Sequence, residues 1–122
     1  MMAQRSGATV CMSSGARGDA VDGSSHQRCA YSAAKAGIQG FARDAALELA
    51  GHGARINAVT PRRIETERTA ATFEDLCATS EFSPHGLVPM RRIGQPREIF
   101  DAVLFLAPDV ARNITGIGSV SV

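Results

Sequence analysis

No apolar run in this 122-residue chain approaches the roughly 18 residues needed to cross a bilayer. The opening residues, Met1 to Gly7, lack the apolar stretch of a secretory signal. Cysteine is scarce: Cys11, Cys29 and Cys77 are odd in number, widely spaced and without a C-x-x-C pair. That pattern excludes a disulfide framework and a cysteine zinc site, and a reducing, cytoplasmic setting is expected. Neither sign of charge is in excess, with 13 Lys+Arg against 12 Asp+Glu and a formal net charge of +1. A dedicated nucleic-acid binder concentrates positive charge, and Arg62-Arg63 and Arg91-Arg92 lack aromatic stacking partners, so no nucleic-acid partner is expected. His26, His52 and His85 have no metal-ligand spacing, and no metal is expected. Low-complexity and collagen-like classes are excluded by 44% hydrophobic and 20% charged residues. The length suits one domain and not two.

Tryptophan is absent, and two further scarcities coincide. Lys35 is the only lysine beside twelve arginines, and Tyr31 is the only tyrosine. They stand four residues apart.

The pattern along the chain predicts an α/β unit. Residues 8–13, Ala-Thr-Val-Cys-Met-Ser, form a short run of strand formers bounded by Gly7 and Ser14-Gly15. Gly15 to Ser25 reads as a loop. A helix is predicted from about Arg28 to Leu49, with Ala30, Ala34, Ile38, Phe41, Ala45 and Leu49 as its apolar stripe. Gly51 and Gly53 stop it, and Gly37 and Gly40 inside it are expected to mark close packing against another backbone. Arg55 to Thr60 reads as a second strand ended by Pro61. A weak helix over Thr69 to Ala78 and loop signals at Ser83-Pro84-His85-Gly86 and Pro89 follow. Pro96 opens a clearer helix with Glu98 in its first turn; Ile99, Ala102, Val103 and Leu106 mark its buried face, and Pro108 ends it. Gly116 to Val122 reads as a third strand. Strands alternating with helices imply parallel pairing through helical crossovers.

The chemistry lies in the two singletons. Positions i and i+4 of a helix share a face, so Tyr31 and Lys35 project together. A phenol is a poor base at neutral pH, but a neighbouring ammonium favours the phenolate and lets the tyrosine exchange a proton with a substrate. Ser13 and Ser14, at the end of the preceding strand, offer a hydroxyl to orient a carbonyl or alcohol oxygen. In open α/β sheets ligands bind beyond the carboxyl ends of the strands, where Ser14, Tyr31 and Pro61 should converge.

These segments resemble the short-chain dehydrogenase/reductases, NAD(P)-dependent oxidoreductases on a Rossmann-type fold. Met12-Ser13-Ser14-Gly15 looks like the strand that ends in the family's catalytic serine, with Ser14 the better candidate. Tyr31-Ser32-Ala33-Ala34-Lys35-Ala36-Gly37 looks like its Y-x-x-x-K motif. Arg55-Ile56-Asn57-Ala58-Val59-Thr60-Pro61, Arg91 to Ile99, Val103 to Leu106 and Ile114-Thr115-Gly116 follow in the family's order. The resemblance implies Tyr31 as general acid/base and Lys35 as the cation that favours the phenolate and hydrogen-bonds the nicotinamide ribose. Ser14 holds the substrate oxygen. Beyond Pro61, Ile64 meets the nicotinamide carboxamide, and Thr66 contacts the amide or the pyrophosphate. NAD or NADP is the implied cofactor and a small alcohol or carbonyl the implied substrate. Residues 65–90 are the implied substrate lid, and a homo-oligomer through the Tyr31 helix is implied.

The sequence also departs from the family. No glycine-rich phosphate turn follows a strand, and the family's Asn-Asn-Ala-Gly segment is missing. The expectation is a single partial domain, the C-terminal half of a doubly wound parallel sheet with about three strands. Met1 to Gly7 resembles the last turn of a helix, which points to a truncated gene, a misplaced start codon or a deliberately shortened piece. Ser14 and Tyr31 are 17 positions apart (31 − 14), a longer loop than is usual in the family. Arg62 replaces the glycine expected after Pro61, where a backbone should approach the nicotinamide. Two readings stay open: the catalytic half of an oxidoreductase, or a non-enzymatic remnant that acts at most as an association module.

Overall fold

The structure is a computed structural model and describes residues 1–15, 29–67, 69–70, 90 and 92–121. Its elements are β1 (Gly7–Met12), α1 (Cys29–Ala50), β2 (Ala54–Thr60), α2 (Pro96–Leu106), a 3-10 turn (Asp109–Ala111) and β3 (Val120–Ser121). The strands form one parallel sheet in the order β1-β2-β3. β1 and β2 pair in register from Gly7 opposite Ala54 to Met12 opposite Val59. This is the α/β Rossmann-type architecture expected from the alternation of strands and helices.

β2 is the centre. Ile56, Asn57, Ala58, Val59 and Thr60 are all buried, as suits a strand covered on both faces. α1 packs on it through small residues: Ala42 and Ala46 form a core cluster with Ile56 and Ala58. The buried stripe of α1 is therefore turned by one residue from the one expected. Ile38, Ala45 and Leu49 flank it half-buried, while Phe41 is 61% exposed and Leu47 81%. The cause is steric, because a helix carrying alanine toward the sheet sits closer to the strand than one carrying phenylalanine. Close approach occurs elsewhere than expected too. A Cβ at Gly37 or Gly40 would meet nothing within 4 Å, whereas one at Gly116 would lie 3.2 Å from the Ala46 Cβ.

Before β1, the Arg5 amide donates to the Met2 carbonyl and the Ser6 amide to the Met1 carbonyl, with Arg5 at φ 50°. That pair of bonds closing on a left-handed residue is the Schellman end of a helical turn. At the far end of α1, Gly53 adopts φ 67°, and a Cβ there would lie within 2.4 Å of the Arg5 carbonyl oxygen. Glycine is required by both conformation and space.

The third strand is shorter than the seven residues expected. Only Val120–Ser121 is regular strand, although Gly116 and Ile117 already bond to β2 through Ile56 and Ala58. Side chains replace part of the ladder. The Thr115 hydroxyl accepts from the Ile56 amide, while Asn57 donates from Nδ2 to the Ile114 carbonyl and accepts at Oδ1 from the Ile117 amide. Gly116 turns through φ 77°, which interrupts the extended backbone.

Arg55 secures the other end of β2. Its guanidinium donates to the carbonyls of Leu106, Ala107, Pro108 and Ile114, gathering the unpaired carboxyl end of α2. In α2 itself Leu106 is buried and Ile99, Ala102 and Val103 are half-buried, the face anticipated from the sequence. The start of the long helix at Arg28, residues 16–25 of the loop expected from Gly15, residues 71–78 of the helix expected from Thr69, and the loop signals at 83–86 and 89 lie outside the described residues; Thr69 and Ala70 are helical.

Candidate active site

The carboxyl ends of β1 and β2 and the first turns of α1 enclose a cleft of about 610 Å³. Ser14, Tyr31 and Lys35 all line it, together with Ser32, Gln39 and Thr60. The three residues singled out for chemistry thus share one concavity, although Ser14 and Tyr31 lie 17 positions apart in sequence.

The two adjacent serines have different situations. Ser13 is buried; its hydroxyl donates to the Lys35 carbonyl at 2.7 Å and accepts from Gln39 Nε2 at 3.1 Å. It fastens β1 to α1. Ser14, one residue on, faces the cleft, since alternate strand positions point to opposite sides. Ser13 thus ties strand to helix, whereas Ser14, the better candidate from the resemblance, lines the cavity.

Lys35 crosses the same junction. Its ammonium donates to the Met12 carbonyl at 2.9 Å, at the end of β1, and lies 5.8 Å from the centroid of the Tyr31 ring. One hydrogen bond thus anchors the cation of a residue that lines the cleft. Tyr31 is half exposed, so its phenol is accessible to a ligand.

Pro61, Ile64 and Thr66 lie on the loop leaving β2. The Pro61 carbonyl accepts from the Gly15 amide at 2.8 Å, which joins this loop to the end of β1. Ile64 forms an isolated parallel bridge with Gly94. Thr66 is engaged locally, its hydroxyl 2.9 Å from that of Thr69. Among the described residues that line the cleft, Thr60 and Arg62 are the members from this part of the chain.

A second layer of contacts, not anticipated from the sequence, holds this loop. The Glu65 amide donates to the Gly94 carbonyl and the Gly94 amide to the Arg63 carbonyl, both at 2.9 Å. Gln95 Nε2 donates to the Glu65 carboxylate at 2.6 Å. Glu98 accepts from the Gln95 amide at 2.7 Å and from Arg92, which fixes the start of α2. The Arg92 hydrogen bond, with the Gln95 amide, holds the Glu98 carboxyl at about 2, well below its usual value. The group is at the surface, so its effect is screened by salt. Its folded value is depressed, so the stabilisation it gives is complete above about pH 4.5 and fades as pH falls toward 2. A carboxyl NMR titration should find Glu98 with its midpoint near 2, rising in Arg92→Ala but staying below the ordinary carboxylate range because the Gln95 amide still donates to it.

A further cavity of about 430 Å³ lies at the opposite, amino ends of the strands, lined by Gly7, Ala54 and Arg55 among others. It contains none of the residues singled out for catalysis. Among the described residues no group of three or more His, Cys, Asp or Glu could hold a metal ion, and no helix is long and apolar enough to cross a membrane.

Comparison with known proteins agrees with this fold. A family model described as enoyl-(acyl carrier protein) reductase matches residues 1–120. The chain is 45% identical over 86 residues to the 3-oxoacyl-(acyl-carrier-protein) reductase of Vibrio harveyi, covering 70% of this chain and 34% of that protein. It is 41% identical over 87 residues to a short chain dehydrogenase/reductase of Aspergillus oryzae, covering 71% and 33%. A crystal structure of a 3-oxoacyl-(acyl-carrier protein) reductase from Brucella melitensis superposes with a TM-score of 0.80 at 34% identity, over all of this chain and 42% of that one. A second Brucella melitensis reductase structure, with bound NAD, gives 0.75 at 32% identity, over all of this chain and 41% of that one. The chain therefore spans about a third of the length of the curated relatives it matches. Its fold, its ordered motifs and these matches together make it a member of the short-chain dehydrogenase/reductase family.

Proposed function

We propose that this chain carries the catalytic side chains of an NAD(P)-dependent oxidoreductase acting on a small carbonyl or alcohol. The observation that supports this reading most strongly is the shared cleft of Ser14, Tyr31 and Lys35. In the proposed reaction, Ser14 donates a hydrogen bond to the substrate oxygen. Tyr31 delivers a proton to that oxygen in reduction and removes it in oxidation. Lys35, fixed to the Met12 carbonyl, stabilises the phenolate left behind. Preorganisation matters here: Ser13 and Gln39 tie β1 to α1, so serine and tyrosine are held in register before a ligand arrives.

The residues present suit the nicotinamide-ribose end of the cofactor. The Thr60 hydroxyl is buried at the cleft with no hydrogen-bond partner among the described residues, and Lys35 lines the same cleft. Ile64 and Thr66, on the adjoining loop, would meet the carboxamide and the neighbouring amide or phosphate. The cofactor, when bound, supplies or accepts the hydride. The phosphate-binding turn is not found in this sequence, so cofactor retention depends on another segment. Residues 65–90 act as the substrate lid in this reading, within a single partial domain spanning the chain.

A ketone or alcohol is favoured over a carbon–carbon double bond because both polar groups at the reacting position, Ser14 and Tyr31, are suited to an oxygen. A homo-oligomer through α1 is part of the proposal, supported by Phe41 and Leu47 exposed on that helix. The test is a chimera in which this chain replaces the matching segment of the Vibrio harveyi relative. Nicotinamide-dependent reduction of a 3-oxo substrate by the chimera is expected. A folded chimera that binds nicotinamide but shows no turnover would contradict the reading.

A further inference from the structure

Lys35 is held at both ends by neighbouring groups where β1 stops. Its ammonium donates to the Met12 carbonyl at 2.9 Å, and its backbone carbonyl accepts from the Ser13 hydroxyl at 2.7 Å. The Ser13 backbone is itself fixed, because its amide donates to the Val59 carbonyl of β2 at 2.8 Å. Gln39, one turn along α1, donates from Nε2 to the same Ser13 oxygen at 3.1 Å. A hydroxyl has one proton, and with Gln39 donating to its oxygen that proton is directed to the Lys35 carbonyl. Ser13 is 3% exposed, so water does not compete for these bonds. The fully buried residues of α1, Ala42 and Ala46, begin about two turns beyond Lys35, so polar bonds locate the turn that carries it.

We infer that Ser13 and Gln39 are positioning residues that act on the proposed proton transfer through Lys35. A lysine ammonium ends four flexible methylenes and keeps little order from one bond. Fixing the backbone at the base of that stem, together with the carbonyl that receives its head, narrows the positions open to the charge. The value of that charge to a phenolate at Tyr31 depends on their separation, so the Ser13 hydroxyl sets how much stabilisation Lys35 supplies. The catalytic consequence rests on the oxidoreductase reading; the anchoring of the lysine does not.

Lys35 is the only lysine, so the 122-residue chain labelled with carbon-13 lysine gives a single ε-methylene signal by NMR. Its two ε protons should be resolved, as in a side chain held in one conformation. Ser13→Ala should merge them into one averaged signal, with far-ultraviolet circular dichroism unchanged. Gln39→Leu, at a half-buried helical position, should narrow their separation, and it carries the test if Ser13→Ala does not fold. A merged signal in the parent, or an unchanged separation in either folded variant, overturns the inference.

In the chimera with the Vibrio harveyi relative, Ser13→Ala should lower kcat about tenfold at saturating substrates. In a Lys35→Met background the same substitution should lower it by less than about twofold, since the lysine it serves is gone. Losses that multiply across the two backgrounds make Ser13 a support of the fold alone and overturn the inference. A parent chimera that binds nicotinamide without turnover counts against the oxidoreductase reading and removes the catalytic half of the inference, while the lysine signal still decides the anchoring.

Discussion

Tyr31→Phe lowers turnover by about 10²- to 10⁴-fold in the chimera that combines this chain with a nicotinamide-binding segment. The ring remains, so packing in the first turns of α1 and the nearby Lys35 ammonium are preserved. Only the proton donor is removed. Nicotinamide binding should therefore change by no more than about twofold, with the loss in kcat rather than KM. Rapid-mixing measurement of nicotinamide oxidation checks this directly. Near-normal turnover in the variant would take the phenol out of the reaction.

The second large effect is on stability. Asn57→Ala should cost about 3 kcal/mol, measured by urea unfolding of the 122-residue chain. The side chain is 1% exposed and serves two backbone groups at once, the Ile114 carbonyl and the Ile117 amide. Truncation leaves both buried groups without a partner and opens a void beside the central strand. Asn57→Asp does not rescue the loss. It keeps an acceptor for the Ile117 amide but sets a carboxylate against the Ile114 carbonyl oxygen, and the charge itself is costly to bury. The consequence reaches the cleft, because Asn57 holds the segment leading into β3, and Ser119 and Ser121 line the cleft with Thr60. A cost under about 0.5 kcal/mol would show that the 114–117 segment is held by something other than Asn57.

Tyr31 and Lys35 were legible in the sequence because helical spacing alone puts residues i and i+4 on one face. Ser14 was legible because a strand end points toward the ligand side of a parallel sheet. The alternation of strand and helix sufficed for the α/β class and for the parallel pairing. What escaped was the part decided by contacts between distant segments. Asn57 reads as an ordinary strand residue until Ile114 and Ile117 are brought beside it. Arg55 looks like a solvated charge until the end of α2 offers it three carbonyls and Ile114 a fourth. The α1 stripe was misplaced by one residue because periodicity favours large apolar side chains, whereas packing on β2 selected Ala42 and Ala46 for their small size. Exposed Phe41 and Leu47 carry the apolar signal that periodicity read as core. The short β3 has the same origin: side-chain hydrogen bonds took over where a backbone ladder was expected.

The Glu65–Gln95 and Arg92–Glu98 contacts illustrate a further limit. Each is a polar pair whose partners lie on different elements or across a turn, and no spacing rule connects residue 65 to residue 95. Once formed, they fix the loop from Pro61 to Thr66 against the start of α2, so the residues proposed for the nicotinamide carboxamide are positioned by groups that never touch it.

The proposed chemistry requires that Ser14 and Tyr31 act on one substrate oxygen. A double-mutant cycle in the chimera, with Ser14→Ala, Tyr31→Phe and the pair, measures this from the rate of nicotinamide oxidation. Residues that serve one transition state are strongly non-additive, so the double variant should be scarcely slower than Tyr31→Phe alone. Two losses that multiply, or a Ser14→Ala variant with undiminished turnover, would contradict a shared oxygen and with it the assignment of this cleft.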